Sequence, residues 1–216
     1  MVDVTSQLST TSYAVLGLLS LRSWTGYELT QQAQRSLALI WPKEDSVLYE
    51  EPRRLVARGL ARAHKERQGG RTRNRYEITA EGRAALREWL AQPSGVPRHE
   101  MEPILRLTFA DQGEVSDALA AVATLREWAA TNFDNGEVVV RGYQADSGPF
   151  PGRLHLSVLC ARLYADILTA MVNFADMAEE EIKTWPHTHG LGRTEHTQEL
   201  IDEMLEIADR KTWATD

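Results

Sequence analysis

The chain holds one cysteine, Cys160, in 216 residues. A single thiol cannot close an intramolecular disulfide, so the sequence suits a reducing compartment, and a cytoplasmic location is expected. The N-terminus, Met1-Val-Asp-Val-Thr-Ser6, lacks the basic segment and apolar stretch of a secretory signal. No uninterrupted apolar run approaches the roughly 20 residues of a bilayer span, and no membrane partner is expected. Signatures of catalysis are missing too. The sequence shows no glycine-rich phosphate loop, no Ser-His-Asp pattern and no pair of carboxylates in a recognisable cleft, so neither an enzyme nor a cofactor is expected. His187 and His189, with Glu195 and His196 nearby, have ligand chemistry but match no metal-site spacing. No metal is expected.

What the chain does have is charge of opposite sign in different places. The formal total of −7 speaks against a nucleic-acid partner. The partition does not. Residues 1–92 carry 14 Lys/Arg against 10 Asp/Glu, or +4, and residues 93–216 carry 10 against 21, or −11. Residues 53–75 alone hold nine basic side chains and one acid, Glu66, a local +8.

The pattern of apolar residues supplies the fold class. Ser9-Thr10-Thr11-Ser12 offers helix N-caps before the apolar run Tyr13–Leu21. A second helix starts near Gly26, with Leu29, Ala33 and Leu37 on one face, and Trp41-Pro42 interrupts it. A third starts after Asp45 or Ser46 and stops at Gly59. The period then changes to two. Leu60–His64 and Arg75–Thr79 alternate around Gly69-Gly70, which predicts a β-hairpin with a long basic tip, Arg71-Thr-Arg-Asn-Arg75. A fourth helix runs from Glu81 to Ala91 after Thr79. Helix–helix–helix–hairpin–helix is the order of a winged helix-turn-helix.

In such a domain the third helix lies in the major groove with its outward side chains at base edges. With Leu48 at the centre of the buried face, Pro52 and Leu55 extend the core stripe, while Ser46, Glu50, Arg53 and Ala57 point the opposite way. Tyr49 and Arg54 flank that face, and Lys43 precedes it. Arginines here can grip guanine, and Arg71, Thr72, Arg73 and Arg75 of the hairpin are spaced to meet the backbone or minor groove. Two features work against this. Glu50 and Glu51 face phosphates unfavourably unless one accepts a cytosine amino group. Pro52 sits where a helix interior is expected, which predicts either a kink at residues 48–52 or a shortened helix beginning at Pro52.

The residues just described resemble the PadR-type transcriptional regulators. The likeness rests on Tyr13-Ala-Val-Leu-Gly-Leu-Leu, Gly26-Tyr-Glu-Leu29, Leu48-Tyr49, Arg54-Leu55, Gly59-Leu60, and Arg75-Tyr-Glu-Ile-Thr-Ala-Glu-Gly82 followed by Leu86 and Trp89-Leu90. It covers about residues 10–92 closely. Residues 104–184 are similar in organisation to the larger PadR subfamily, and the tail after about residue 190 adds little. The resemblance implies a homodimeric repressor on a palindromic double-stranded DNA operator, with Tyr49 and the start of the third helix on DNA and the hairpin as wing. It also implies release by a small phenolic or hydrophobic effector. Repression rather than activation rests on the resemblance alone. Where the family commonly reads Tyr-Pro, this chain reads Tyr49-Glu50, and its proline stands at Pro52.

The expected architecture is therefore mainly α with a small β-hairpin: a winged helix-turn-helix DNA-binding domain over residues 1–92, a linker over 93–103 marked by Pro93, Gly95 and Pro97, and an all-helical dimerisation domain over 104–216. Helical periodicity covers residues 114–134, 154–184 and 195–213. Leu156, Leu163, Ala170 and Met177 recur every seven residues, with Cys160, Ile167 and Phe174 interleaved, as in a short coiled-coil seam. Leu156, Leu163 and Ile167, with Leu200, Met204 and Leu205 of the last helix, are the expected dimer contacts. Cys160, inside the seam, reads as a buried structural thiol. Trp128, Tyr164, Met171 and Phe174 can line an effector pocket or serve as plain core and interface. The competing reading of the chain is a protein-interaction module that uses a winged helix without DNA.

Overall fold

The computed structural model describes residues 8–68 and 71–210, with the side chains of Gln68 and Arg71 outside that description. The chain divides into two compact units between Pro97 and Arg98.

The first unit is built around α1, Thr10–Leu21. Its sequence is apolar nearly all round, the composition of a helix covered on several sides. Val15, Leu16, Leu18 and Leu19 are accordingly buried. Ser9 caps it, with its Oγ accepting from the Ser12 N–H at 3.1 Å. β1, Trp24–Thr25, leads into α2, Gly26–Leu37. Thr25 and Glu28 form a capping box at that junction, each satisfying the other's backbone N–H. α3, Asp45–Ala57, follows, then β2, Ala61–Gln68, β3, Arg71–Ile78, and α4, Ala80–Leu90. The strands form one antiparallel sheet in the order β1-β3-β2.

Two of these elements differ from expectation. β1 went unpredicted, and its two residues pair with Tyr76 and Arg75. The basic stretch Arg71–Arg75 forms strand, not tip: β2 and β3 are eight residues each and pair from Ala61↔Ile78 out to Gln68↔Arg71. The expected tip at Gly69-Gly70 lies outside the described residues. Because β1 meets only the inner end of β3, the outer half of the hairpin is a two-stranded ribbon, the projecting wing.

The second unit contains α5, Glu102–Thr108, α6, Val115–Gln144, α7, Leu154–Ile182, and α8, Glu195–Asp209. α5 begins inside the stretch expected as linker. α6 continues ten residues past its expected end at 134, and Gly136 within it meets no crowding. α6 and α7 form a helical hairpin sealed by small residues. Ala118, Ala121, Val122, Leu125 and Ala129 are the buried positions of α6, and Leu168, Ala175, Ala178 and Ile182 those of α7. Arg126 on α6 ties the two helices by ion pairs to Asp176 (2.6 Å) and Glu179 on α7.

That internal stripe of α7 sits one residue, about 100° of helix, away from the predicted heptad seam. Leu168, Ala175 and Ala178 pack within the chain, whereas the seam beside them is only partly covered. Leu156 is 45% exposed and Leu163 57%, and Ile167 is half-buried. Cys160 is exposed, contrary to expectation, because the seam it belongs to is unfilled in a single chain. α8 buries no residue; Met204 and Leu205 are exposed and Leu200 half-buried. By length and composition alone, the segment Pro151–Ile182 is apolar enough to cross a membrane. Reading only for uninterrupted runs overlooked it, because Arg162 and Asp166 break the run.

Candidate nucleic-acid interface

α3 is positioned from both ends. Gln34 on α2 donates from Nε2 to the Lys43 carbonyl (2.9 Å) and to Asp45 Oδ1 (3.0 Å), fixing the entry to the helix. Lys43 itself lies with its ammonium 4.8 Å from the Trp41 ring centroid, and Trp41 Nε1 donates to Thr11 Oγ1. At the exit, the Gly59 N–H bonds the Val56 carbonyl and the Leu60 N–H the Leu55 carbonyl, the two bonds of a Schellman stop. Gly59 takes a φ of 73°, the left-handed conformation this stop requires and glycine tolerates.

Pro52 lies inside the helix, which begins at Asp45 and is not shortened to start at the proline. Proline forfeits the bond its N–H would give to the Leu48 carbonyl and disfavours helical geometry at the residue before it. That preceding residue, Glu51, is held in place by a different contact. It is 4% exposed and accepts from Ser12 Oγ on α1 at 2.5 Å. Pro52 itself is fully buried. Packing and this anchor offset the missing bond. Glu51 therefore faces the core, not phosphates, and the expectation that it opposes DNA is corrected.

The outward face of α3 carries Ser46, Tyr49, Glu50, Arg53 and Arg54, all exposed. Arg53 donates to Glu50 at 2.8 Å, and Arg54 approaches Glu51 at 3.6 Å. Between this face and the wing runs an open groove of about 750 Å³, lined by Tyr27, Tyr49, Arg53, Thr72, Arg73 and Asn74 over a floor of Thr25, Gly26 and Tyr76. Four predicted residues, Tyr49, Arg53, Thr72 and Arg73, thus meet in one place. Tyr27 and Asn74 were missed. Tyr27 follows Gly26, beside which the Tyr49 ring lies: a Cβ on Gly26 would stand 3.4 Å from that ring, an ordinary contact.

Arg75 has another occupation. Its guanidinium donates to Glu66 (2.7 Å) and to the Ser23 carbonyl (3.1 Å) and pairs with Glu28 (3.3 Å). The Glu66 bond leads in raising its pKa, so the cation is permanent. Burial pushes the Glu28 carboxyl up, but the Thr25 N–H and the Arg75 charge outweigh it and hold the group below its ordinary value. Arg75 is a clamp at the wing's base. The Arg71 side chain lies outside the described residues.

Residues 15–88 match the family described as "Transcriptional regulator PadR-like family". The likeness to that family is confined to the first unit. The chain is 29% identical over 86 residues to the negative transcriptional regulator PadR of Bacillus subtilis, a match spanning 39% of this chain and 47% of that protein. The match thus spans about half the length of the curated relative. Two solved structures are similar in fold. Bacillus subtilis PadR in complex with operator DNA superposes with a TM-score of 0.66 at 20% identity, covering 81% of this chain and 99% of that one. The same protein in complex with p-coumaric acid gives 0.60 at 19% identity, covering 81% and 99%. The winged helix and the helices that follow it are shared at the level of fold.

The four expected effector residues of the second unit are spread over two helices, Trp128 on α6 and Tyr164, Met171 and Phe174 on α7. A groove of about 840 Å³ lies along α5 and α6, lined by Leu105, Phe109, Ala118, Ala121 and Thr124 among others, and none of the four lines it. Trp128 is 46% exposed, and Phe174 packs on the core cluster of Ala118, Val122, Ala175, Ala178 and Ile182. Tyr164 and Met171 are half-buried and fall in heptad register with the internal stripe. Burial, with the charge of Cys160 second, pushes the Tyr164 phenol up to about 12, so it stays a neutral donor. The His187 and His189 rings stack at 4.9 Å. Among the described residues no group of three His, Cys, Asp or Glu side chains could hold a metal.

Proposed function

We propose that the protein is a homodimeric, sequence-specific DNA-binding transcriptional regulator of the cytoplasm, acting as a repressor on a palindromic operator. Residues 1–92 bind DNA, residues 93–103 link, and residues 104–216 dimerise. The observation that carries this reading is the groove in which Tyr49 and Arg53 of α3 face Thr72 and Arg73 of the wing, the last three within the stretch of +8. Those side chains combine base-edge donors with backbone contacts, the division of labour of winged-helix readers. Repression is supported by the curated relative, a negative regulator.

Dimerisation is supported by the outer apolar stripe of α7. Leu156, Leu159 and Leu163 are 45–70% exposed in the single chain, and a second copy of the same seam is the simplest cover. A small hydrophobic or phenolic effector is supported by the complex of the similar Bacillus subtilis protein with p-coumaric acid. Such a ligand shifts DNA binding only by its differential affinity for two arrangements of the dimer.

The test is a salt titration of binding to the promoter beside the protein's own gene. Each phosphate contact removed lowers the slope of log K against log salt by about 0.9, so Arg73→Ala flattens the slope while leaving the dimer intact. Absence of retardation at low salt, on that promoter and on random duplex alike, overturns the reading in favour of a protein-interaction module.

A further inference from the structure

The outward face of α3 is unusual in carrying an acid at its centre. The core side is marked by Leu48, Glu51, Pro52 and Leu55, all buried. At about 100° per residue, Glu50 and Arg53 straddle the line directly opposite that core, roughly 30° to either side. Any duplex that Arg53 can reach is therefore also a duplex that Glu50 must meet. Glu50 has no structural duty to explain its presence. Its neighbour Glu51 anchors α3 to Ser12, whereas Glu50 is exposed and pairs with Arg53, also exposed and one turn away. An exposed pair of this kind contributes little to a helix. A carboxylate facing phosphates weakens binding to every sequence alike.

Such a group is tolerable on a DNA-reading face where it gains more from one base than it loses from the backbone. A carboxylate is an acceptor with no donor, and the base edge that complements it in the major groove is the cytosine amino group. Arg53 presents the complementary donors for guanine O6 and N7. The two residues are about 4.5 Å apart along the helix axis, close to the roughly 3.4 Å step between neighbouring base pairs. In the free protein they satisfy each other, with Arg53 Nη1 2.8 Å from Glu50 Oε1.

We propose that Glu50 is the specificity-determining residue of the recognition helix, accepting from a cytosine amino group beside a guanine held by Arg53. The inference rests on the DNA-binding reading above and goes beyond it by naming the bases. In the complex the Glu50–Arg53 pair opens, and each partner exchanges the other for a base edge.

The test is selection from a random duplex library with the full-length wild type, Glu50→Gln and Glu50→Ala, with competition binding on the selected site and on random duplex. Circular dichroism confirms that the variants fold. The wild type should select a half-site with adjacent guanine and cytosine contacts. Glu50→Gln should lose its preference for the cytosine by about tenfold or more, since its amide now favours adenine. Both variants should bind random duplex as tightly as the wild type or more tightly, because a charge repelled by phosphates is gone. A half-site selected equally well by wild type and Glu50→Gln overturns the proposal while leaving DNA binding intact. A wild type that selects nothing overturns the DNA-binding reading and this proposal together.

Discussion

Ser12 on α1 donates its hydroxyl to the Glu51 carboxylate on α3 at 2.5 Å, and both residues are buried. The bond joins α1, the central helix of the first unit, to α3, next to the proline that interrupts the latter's hydrogen bonding. Ser12→Ala leaves a buried carboxylate oxygen without its donor, which costs about 1–3 kcal/mol. Denaturant unfolding of the full chain should show a lower midpoint with an unchanged slope. A midpoint equal to the wild type's would mean that the contact does not hold α3.

Gly82 tests the junction of wing and α4. A Cβ there would lie 2.1 Å from the Leu60 carbonyl oxygen and 2.9 Å from Ile78 Cγ1. The first obstacle is backbone, and that carbonyl already accepts the Thr79 N–H. Gly82→Ala should therefore destabilise by about 3 kcal/mol or more, despite alanine's better helix propensity. Thermal unfolding measures it, and a stabilised variant would refute the close approach.

Arg75 and Arg73, two residues apart on β3, should behave differently. Arg75→Ala removes the clamp and lowers stability; Arg73→Ala leaves stability unchanged and weakens DNA binding. The clamp also has a pH signature. Glu28 is held below its ordinary value of 4.5. Its contribution is complete above that value and is lost as pH falls through the lowered one. Acid unfolding of Arg75→Ala should therefore begin at a higher pH than in the wild type. Coincident acid transitions would remove Glu28 from the account.

The two stripes of α7 give a paired test of dimerisation. Leu168 is 2% exposed and packs within the chain, so Leu168→Ala should cost about 2–5 kcal/mol in stability. Leu163→Asp, on the outer stripe, should leave the helical signal intact and convert a dimer to monomer. Light scattering after size exclusion reads the mass. A Leu163→Asp variant that stays dimeric would move the interface elsewhere.

Much of the first unit was legible because its signals are local: caps at Ser9 and Thr79, a glycine stop at Gly59, and a clean change of period at Leu60. What escaped depends on contacts distant in sequence. β1 is too short for periodicity to detect and exists because Trp24 and Thr25 pair with β3. The length of α3 through Pro52 depends on Ser12, 39 residues away. On α7 the heptad spacing was visible, but two adjacent stripes share it, and the chain's own core uses Leu168, Ala175 and Ala178. In the candidate site, Tyr49, Arg53, Thr72 and Arg73 followed from helix phase and topology. The partners of Arg75 went unseen because a basic residue in a basic run gives no sign of the carboxylates beside it.

The Arg75 clamp has a consequence for control. With Glu66, Glu28 and the Ser23 carbonyl all gathered on one guanidinium, the wing and α2 share a single bolt at the root of β3. On the DNA-binding reading proposed above, a change that loosens this arginine reaches both the wing and the start of α2 at once, so its effect on affinity should exceed that of losing one surface charge.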